Sequence, residues 1–127
     1  MISANECKQL TAEAEKKQEE YVREQRKKIR EKTLEYCNTT LSEYLKEMCK
    51  YSKHCCSLDF QENYWYDSYQ TLEKSGSYWR IKSYEYLNIE VIKEFAEAHG
   101  FVVEITERNY VKSSKNAIVG KRVVISW

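Results

Sequence analysis

The chain contains no proline and only three glycines in 127 residues. Proline costs about 3 kcal/mol inside a helix and glycine about 1 kcal/mol, so this scarcity favours long, uninterrupted helices. No apolar run approaches the roughly 20 residues of a membrane-spanning helix, and the first residues lack the pattern of a secretory signal. We therefore expect a cytoplasmic protein.

A large excess of either charge is also missing, because 21 Lys and Arg residues face 20 Asp and Glu residues, for a net charge of +1. Any site for nucleic acid or another anion must then be a local patch. The five cysteines are odd in number and lack the spacing of a disulfide framework. Free thiols in a reducing compartment are expected.

Aromatic residues, by contrast, are plentiful. They make up 13% of the chain and include 11 tyrosines, although the mean hydropathy is low, at −0.79. A disordered chain would lack these aromatics. The composition is typical of a folded, well-solvated, helix-rich protein, and the length predicts a single domain.

Residues 4–34 carry the signals of one long helix. Ser3 and Glu6 match the capping box at its start, and no glycine or proline follows for thirty residues. A thin apolar stripe recurs at helical spacing through Cys7, Leu10, Ala14 and Tyr21. A stripe this narrow is typical of a helix that packs on a partner, so we expect a coiled-coil homo-oligomer formed through this helix.

Six basic residues cluster within residues 23–32 of this helix: Arg23, Arg26, Lys27, Lys28, Arg30 and Lys32. Glutamates interrupt the cluster and would face many of the same phosphates. The cluster is therefore either a nucleic-acid-binding helix face or a solvated face with internal salt bridges, and mixed-sign patterning favours the second interpretation.

A second run with heptad spacing follows: Leu34, Cys37, Leu41, Tyr44, Met48, Tyr51, Cys55 and Leu58. A regular coiled coil would have mainly Leu and Ile at these positions. The tyrosines and cysteines instead favour packing of this helix on a β-sheet. Thr40 and Glu43 form a possible second capping box. Residues 4–58 are therefore either one rod or a helical hairpin.

One cluster of residues has the chemistry of a metal site: Cys49, His54, Cys55 and Cys56. Structural zinc sites use paired spacings that let two ligands converge, and adjacent Cys55 and Cys56 do not provide one. Buried free thiols are the favoured interpretation. We expect neither a metal nor a cofactor.

Residues 59–76 are rich in aromatics but follow neither a helical nor a strand period. These aromatics are either a stacking surface for bases or the lid of a small core, and the shortage of aliphatic residues favours the lid. The segment ends in a turn signal at residues 74–77.

The C-terminal part has the clearest local pattern. Alternating segments predict strands at 77–83, 101–107 and 121–127, joined by a polar loop at 108–120. A helix is predicted at 89–99, with Asn88 as its N-cap and Gly100 as its stop. The fold class is thus α+β: a long N-terminal helix or helical hairpin (1–58), then a small β-α-β-β domain (59–127) with one face of its sheet covered by a helix.

The best candidate site is an anion or nucleotide patch. We predict that basic side chains of the first strand and of the 108–120 loop converge, with serine hydroxyls and tyrosine rings beside them. The residues are Tyr78, Arg80, Lys82, Arg108, Tyr110, Lys112, Ser113, Lys115 and Lys121. The alternative is that these residues only keep an exposed loop soluble.

Catalytic motifs do not appear in the sequence. His54 and His99 have no motif context, and there is no phosphate-binding glycine loop, HExxH or GxSxG. We therefore expect a protein that is not an enzyme.

The opening Met1–Thr11, the helix-to-strand junction Val91–Glu104 and the closing Val124–Trp127 together resemble small phage and prophage accessory proteins of low-GC bacteria. The cysteine- and tyrosine-rich part between Cys37 and Gly76 has no counterpart in that pattern. The resemblance implies a counter-defence protein that binds a host defence component or sequesters its nucleotide signal, often as a symmetric oligomer. It supplies no functional residue.

The leading hypothesis is thus a non-enzymatic, phage-type binding protein that antagonises a bacterial defence system by sequestering a nucleotide-like ligand or blocking a host protein. The alternatives are a nucleic-acid-binding protein that uses helix residues 23–32, or a structural oligomer.

Overall fold

A computed structural model describes residues 1–112 and 116–127, with side chains outside 112–116. The fold is α+β, as the sequence predicts. Over these described residues, three helices and five strands follow in the order α1 (Ala4–Tyr36), α2 (Ser42–Lys50), β1 (Cys55–Asn63), β2 (Ser68–Ser75), β3 (Tyr78–Ile81), α3 (Ile89–Ala98), β4 (Val102–Lys112) and β5 (Asn116–Ser126). A π-helical turn, Cys37–Leu41, joins α1 to α2.

The N-terminal helix is a rod and not a hairpin. The Ser3 side chain accepts a hydrogen bond from the backbone N–H of Glu6, as predicted for the cap. At the second capping box, where a hairpin would have to turn, the π turn carries the chain from α1 into α2 with helical backbone angles at both of its ends. Thr39 and Ser42 there donate their hydroxyls to carbonyls of the preceding turn, which loosens the regular α-helical pattern.

The heptad spacing from Leu34 to Leu58 predicts helix throughout, but the helical structure ends at Lys50. Ser52 has a positive φ of 57°, and β1 begins at Cys55. Residues 55–58 pair with 123–126 of β5, so Cys56 and Leu58 alternate on a strand. β1 also spans the predicted division after residue 58. The apolar spacing of a short segment fits either period, and a strand partner distant in sequence decided between them.

The five-stranded sheet is antiparallel with the order β3-β2-β1-β5-β4. It has two strands more than the predicted β-α-β-β pattern. β1 and β2 were not predicted. The predicted loop 108–120 was wrong at both ends, because β4 runs to Lys112 and β5 starts at Asn116. Helix α3 lies where predicted, and the Asn88 side chain accepts from the N–H of Glu90.

One face of the sheet is covered by the helices and forms the main core. The π turn contributes Cys37 and Leu41, both fully buried, so the predicted docking of this part of the helix on the sheet is confirmed. The buried members are Cys37, Leu41, Cys56, Leu58, Phe60, Tyr69, Leu87, Ile89, Ile92, Ala96, Val123 and Ile125.

The buried hydroxyl of Thr33 joins α1 to α3. It donates to the carbonyl of Ile29 at 2.7 Å and accepts from the backbone N–H of Asn88 at 2.9 Å. Since Asn88 is also the N-cap of α3, this contact fixes the start of the short helix against the long one.

The other face of the sheet is partly covered by the sheet itself. A second cluster packs Leu72, Tyr110 and Ile118 against Trp79 and Ile81. The rings of Trp79 in β3 and Tyr110 in β4 have centroids 4.8 Å apart, although four strand-to-strand steps separate these strands in the sheet order. The sheet must therefore curl so that its two edges approach each other.

Residues 1–21 of the rod extend beyond this packed part, and each of them is exposed. The first buried residue of α1 is Ile29. Within the described residues, none of the helices combines the length and the apolar character needed to cross a membrane.

Candidate functional site

The turn between β1 and β2, Tyr64–Asp67, is called the hairpin tip. Asn63 begins it by accepting the N–H of Trp65 on its side-chain oxygen at 2.9 Å, which is an Asx turn. Ser68 closes it by donating its N–H to the carbonyl of Trp65 at 3.1 Å. The residues at both ends of the tip thus hold a four-residue turn that contains no glycine.

The backbone of the hairpin tip is strained. Tyr66 has a φ of 55° and Asp67 a φ of 49°, in the left-handed region that glycine, asparagine and aspartate tolerate best, so the strain falls on Tyr66. A bulky residue in this region costs on the order of 1–3 kcal/mol and persists only where the surroundings impose it. Such positions cluster at binding and active sites, so this turn is a candidate site.

The strained turn presents stacked aromatic rings to solvent. The Tyr64 and Trp65 ring centroids are 4.8 Å apart with a 35° interplanar angle. Tyr64 is 85% exposed and Trp65 52% exposed. The predicted lid interpretation does not describe these two rings, because neither is buried against the core.

Helix α1 forms the opposite wall of the site. The rings of Tyr66 and Tyr21 meet edge-on, with their centroids 6.5 Å apart. Asp67 forms an ion pair with Arg26, with 3.5 Å between the carboxylate oxygen and the guanidinium nitrogen. Between the tip and the helix lies a pocket of about 240 Å³ lined by Gln25, Lys28, Ile29, Lys32, Trp65, Tyr66, Ser68 and Tyr86. Since pockets for drug-sized ligands measure roughly 300–1,000 Å³, this smaller pocket has room for one ring system of a ligand.

The charge in this pocket is positive. Lys28 and Lys32 belong to the helix segment 23–32, which we call the basic stretch. Among the described side chains, neither lysine has a carboxylate within ion-pair distance, whereas Arg26 and Arg30 pair with Asp67 and Glu94. The pocket therefore combines aromatic rings with two ammonium groups that are not neutralised by an ion pair.

The predicted anion patch is distributed differently. On β3, the Arg80 guanidinium donates to Glu73 at 2.6 Å, so its charge is balanced within the sheet. Lys82 follows the strand, and its backbone N–H donates to the carbonyl of Thr71. Its side chain lines a cleft beside α2 with Tyr44 and other residues of that helix. Tyr78 remains partly exposed at the edge strand.

Arg108 and Tyr110 lie on the opposite face of the sheet from Arg80, as the strand register requires. Tyr110 is buried and donates its hydroxyl to Asp59 at 2.7 Å, and burial together with this bond raises the pKa of its phenol. Arg122 donates to the same carboxylate at 2.8 Å. Tyr110 is thus part of a buried polar network and presents no open stacking surface.

Lys121 lies on the helix-covered face, with its ammonium 5.6 Å from the centre of the Tyr69 ring. A hydrogen bond to Tyr69 raises the pKa of Lys121. Ser113, Lys115 and the side chain of Lys112 lie outside the described residues. Arg80 and Arg108 are not brought together, because they occupy opposite faces.

The thiol and histidine cluster is also dispersed. Cys56 is buried in the core, whereas Cys49 and Cys55 are exposed. The backbone carbonyl of His54 accepts the N–H of Trp127. Over residues 1–112 and 116–127, no three His, Cys, Asp or Glu side chains converge on a point that could hold a metal ion.

The sequence shows both halves of the candidate site but not their contact. The basic stretch and the aromatic segment are each visible as a pattern, and Asn63 is a recognisable turn former. Their meeting depends on the β1–β2 hairpin reaching back to α1, which no local signal predicts. Comparison with protein-family models, curated proteins and solved structures gives no match to this chain.

Proposed function

We propose that this chain is a non-enzymatic binding protein that holds a nucleotide-like ligand between the hairpin tip and the basic stretch. The observation that carries the proposal is the strained, exposed turn with Trp65 facing Lys28 and Lys32 across a small pocket. The base of the nucleotide would stack on the tryptophan and tyrosine rings, and the lysines would bind the phosphate of the nucleotide.

The setting follows from the resemblance to small phage proteins. In that setting the ligand is a nucleotide signal of a host defence system, and capturing it in the host cytoplasm antagonises the defence. The exposed free thiols Cys7, Cys49 and Cys55 are in keeping with a reducing compartment. Blocking a host protein is the variant of this proposal in which the hairpin tip contacts a protein partner.

Titration of the full chain with mononucleotides and cyclic nucleotides tests the proposal, with isothermal titration calorimetry as the readout. Trp65→Ala is expected to weaken binding about 5- to 150-fold, since stacking on one aromatic contributes about 1–3 kcal/mol per base. Tyr51→Ala is the matched control, because Tyr51 is another exposed aromatic remote from the tip.

The contribution of the two pocket lysines, Lys28 and Lys32, is tested separately. The double variant Lys28→Gln/Lys32→Gln is expected to weaken nucleotide binding, whereas Lys16→Gln/Lys17→Gln, the same change on the exposed helix, leaves it unaltered. Equal effects of the two double variants would mean a general charge effect and no site. Absence of binding to any nucleotide or nucleic acid would overturn the proposal.

A second candidate function is binding of single-stranded nucleic acid. It is favoured by the position of Tyr64, which offers another exposed ring next to Trp65, and by Arg23 and Lys27, which extend the positive charge along the helix. Binding would then strengthen with oligonucleotide length and fall steeply with salt, because each phosphate contact releases counterions. Stoichiometric binding of one small nucleotide with shallow salt dependence favours the first function.

A further inference from the structure

The first part of α1 has no buried side chain in the described part of the molecule, and its one aromatic contact there is the exposed packing of Tyr21 on Tyr66. All side chains of residues 4–21, called the arm, are exposed, including Leu10 at 55% and Tyr21 at 57%. An isolated helix of this length is only marginally stable in water, and the arm lacks the alanine-rich composition that would help it. The arm continues into the packed second half of α1, and a second surface along the arm would stabilise it further.

One face of the arm is free of charge along its whole length. The residues at alternating spacings of three and four are Ala4, Cys7, Thr11, Ala14, Gln18 and Tyr21. These are the a and d positions of a heptad, and all but Tyr21 are small or neutral polar, so a second helix can approach closely. The glutamates and lysines of the arm all lie outside this stripe.

The packed part of the chain leaves this stripe uncovered as far as Gln18 and reaches it at Tyr21. From that point the helix is occupied by the hairpin tip, with Tyr66 on Tyr21 and Asp67 on Arg26. A partner helix is thus limited to residues 4–21, and the stripe within these limits can match itself. When two arms run in opposite directions, Thr11 faces Ala14 of the second copy and Cys7 faces Gln18 of the second copy.

Charge decides between the two directions. In the opposed arrangement, Lys8 at one e position lies beside Glu15 at the e position of the second copy, and symmetry produces this pair twice. In a parallel arrangement, Lys8 would lie beside Ser3 and Glu15 beside Leu10, so neither charge finds a partner. Opposed helix dipoles also attract one another.

We propose that two copies of this chain associate through their arms as an antiparallel two-helix coiled coil. The partner is a second copy because the stripe and its flanking charges are complementary to themselves. This association rests on the arm alone and is independent of the ligand proposed for the hairpin tip.

Sedimentation equilibrium of the full chain at low salt tests the association. Lys8→Glu and Glu15→Lys, each made singly, are expected to raise the dimer dissociation constant on the order of tenfold, because two favourable pairs become two repulsive ones. The double exchange Lys8→Glu/Glu15→Lys restores the pairs and the affinity. Lys16→Glu is the control, because it makes the same charge change on the outer side of the helix.

Disulfide cross-linking tests the direction. In a chain carrying Cys49→Ser and Cys55→Ser, oxidation is expected to cross-link two copies only when Gln18→Cys is added opposite Cys7. A monomer at all accessible concentrations overturns the proposal. Cross-linking through Cys7 without Gln18→Cys, or a failure of the double exchange to restore affinity, also overturns it, because either result excludes the antiparallel arrangement.

Discussion

At the scale of single residues, the two buried thiols of the core make stability depend on pH. Cys37 and Cys56 are almost fully buried. Burial raises the pKa of each thiol from 9.0 to about 11, and the neighbouring Cys55 adds to the effect on Cys56. A buried thiolate is unfavourable because the core cannot solvate its charge.

The sign of the pH effect follows from these values. Well below pH 9 both thiols are neutral in the folded and unfolded states, and the full stability is present. Between pH 9 and about 11 the unfolded chain releases protons that the folded chain retains, so the free energy of unfolding falls as pH rises. The loss is at most about 2–3 kcal/mol for each thiol.

Urea unfolding at several pH values between 8 and about 10.5 measures this fall. Cys37→Ala and Cys56→Ala are each expected to lower overall stability but to flatten the pH dependence. Cys7→Ala, on the exposed arm, should leave the slope as it is. An unchanged slope in both core variants would mean that these thiols ionise freely in the folded state.

At the scale of elements, the curl of the sheet depends on Gly120 in β5. A Cβ atom at this position would lie 2.0 Å from the carbonyl oxygen of Phe60 in β1 and 2.9 Å from the ring of Tyr110. Neither the backbone of β1 nor the packed ring can move away freely. The missing side chain therefore allows β5 to pass close to β1 while Tyr110 reaches Trp79.

Gly120→Ala is expected to destabilise the protein by about 1–3 kcal/mol or more, because it overpacks a site walled by backbone. Chemical denaturation gives the magnitude, and near-ultraviolet circular dichroism reports the Trp79–Tyr110 contact. Gly76→Asn is the control, since no atom lies within 4 Å of a Cβ there and asparagine tolerates its φ of 63°. Equal stability of the Gly120→Ala variant and the wild type would show that β5 can shift without cost.

Elements with complete local signals were predictable, and elements defined by a distant partner were not. Helix α3 has a capping residue, an apolar face and a glycine stop between Asn88 and Gly100, so its position follows from the sequence alone. The strand at Cys55–Leu58 has an apolar spacing that also fits a helix, and only its pairing with β5 selects the strand. The hairpin tip could not be predicted for the same reason, because Tyr66 packs on helix α1 some forty residues earlier in the sequence.

At the scale of the whole molecule, the chain divides by packing into two parts with different sources of stability. From Ile29 onward, α1 is tied to the sheet and to α3 through buried side chains and the Thr33 hydroxyl. Within the described residues the arm has no buried side chain, and apart from the exposed Tyr21–Tyr66 contact its tertiary stabilisation would come from a second copy. The arm's stability should therefore depend on protein concentration, while that of the remainder should not.

Thermal unfolding of the full chain is thus expected to show two transitions. The first removes helical signal in the far ultraviolet and moves to higher temperature as protein concentration rises, since association stabilises by mass action. The second removes the near-ultraviolet signal of the packed aromatics at a temperature that does not depend on concentration. Lys8→Glu should lower only the first transition, and Gly120→Ala only the second. A single transition that carries both signals and ignores concentration would show that the arm and the domain unfold as one unit, which the absence of buried arm residues argues against.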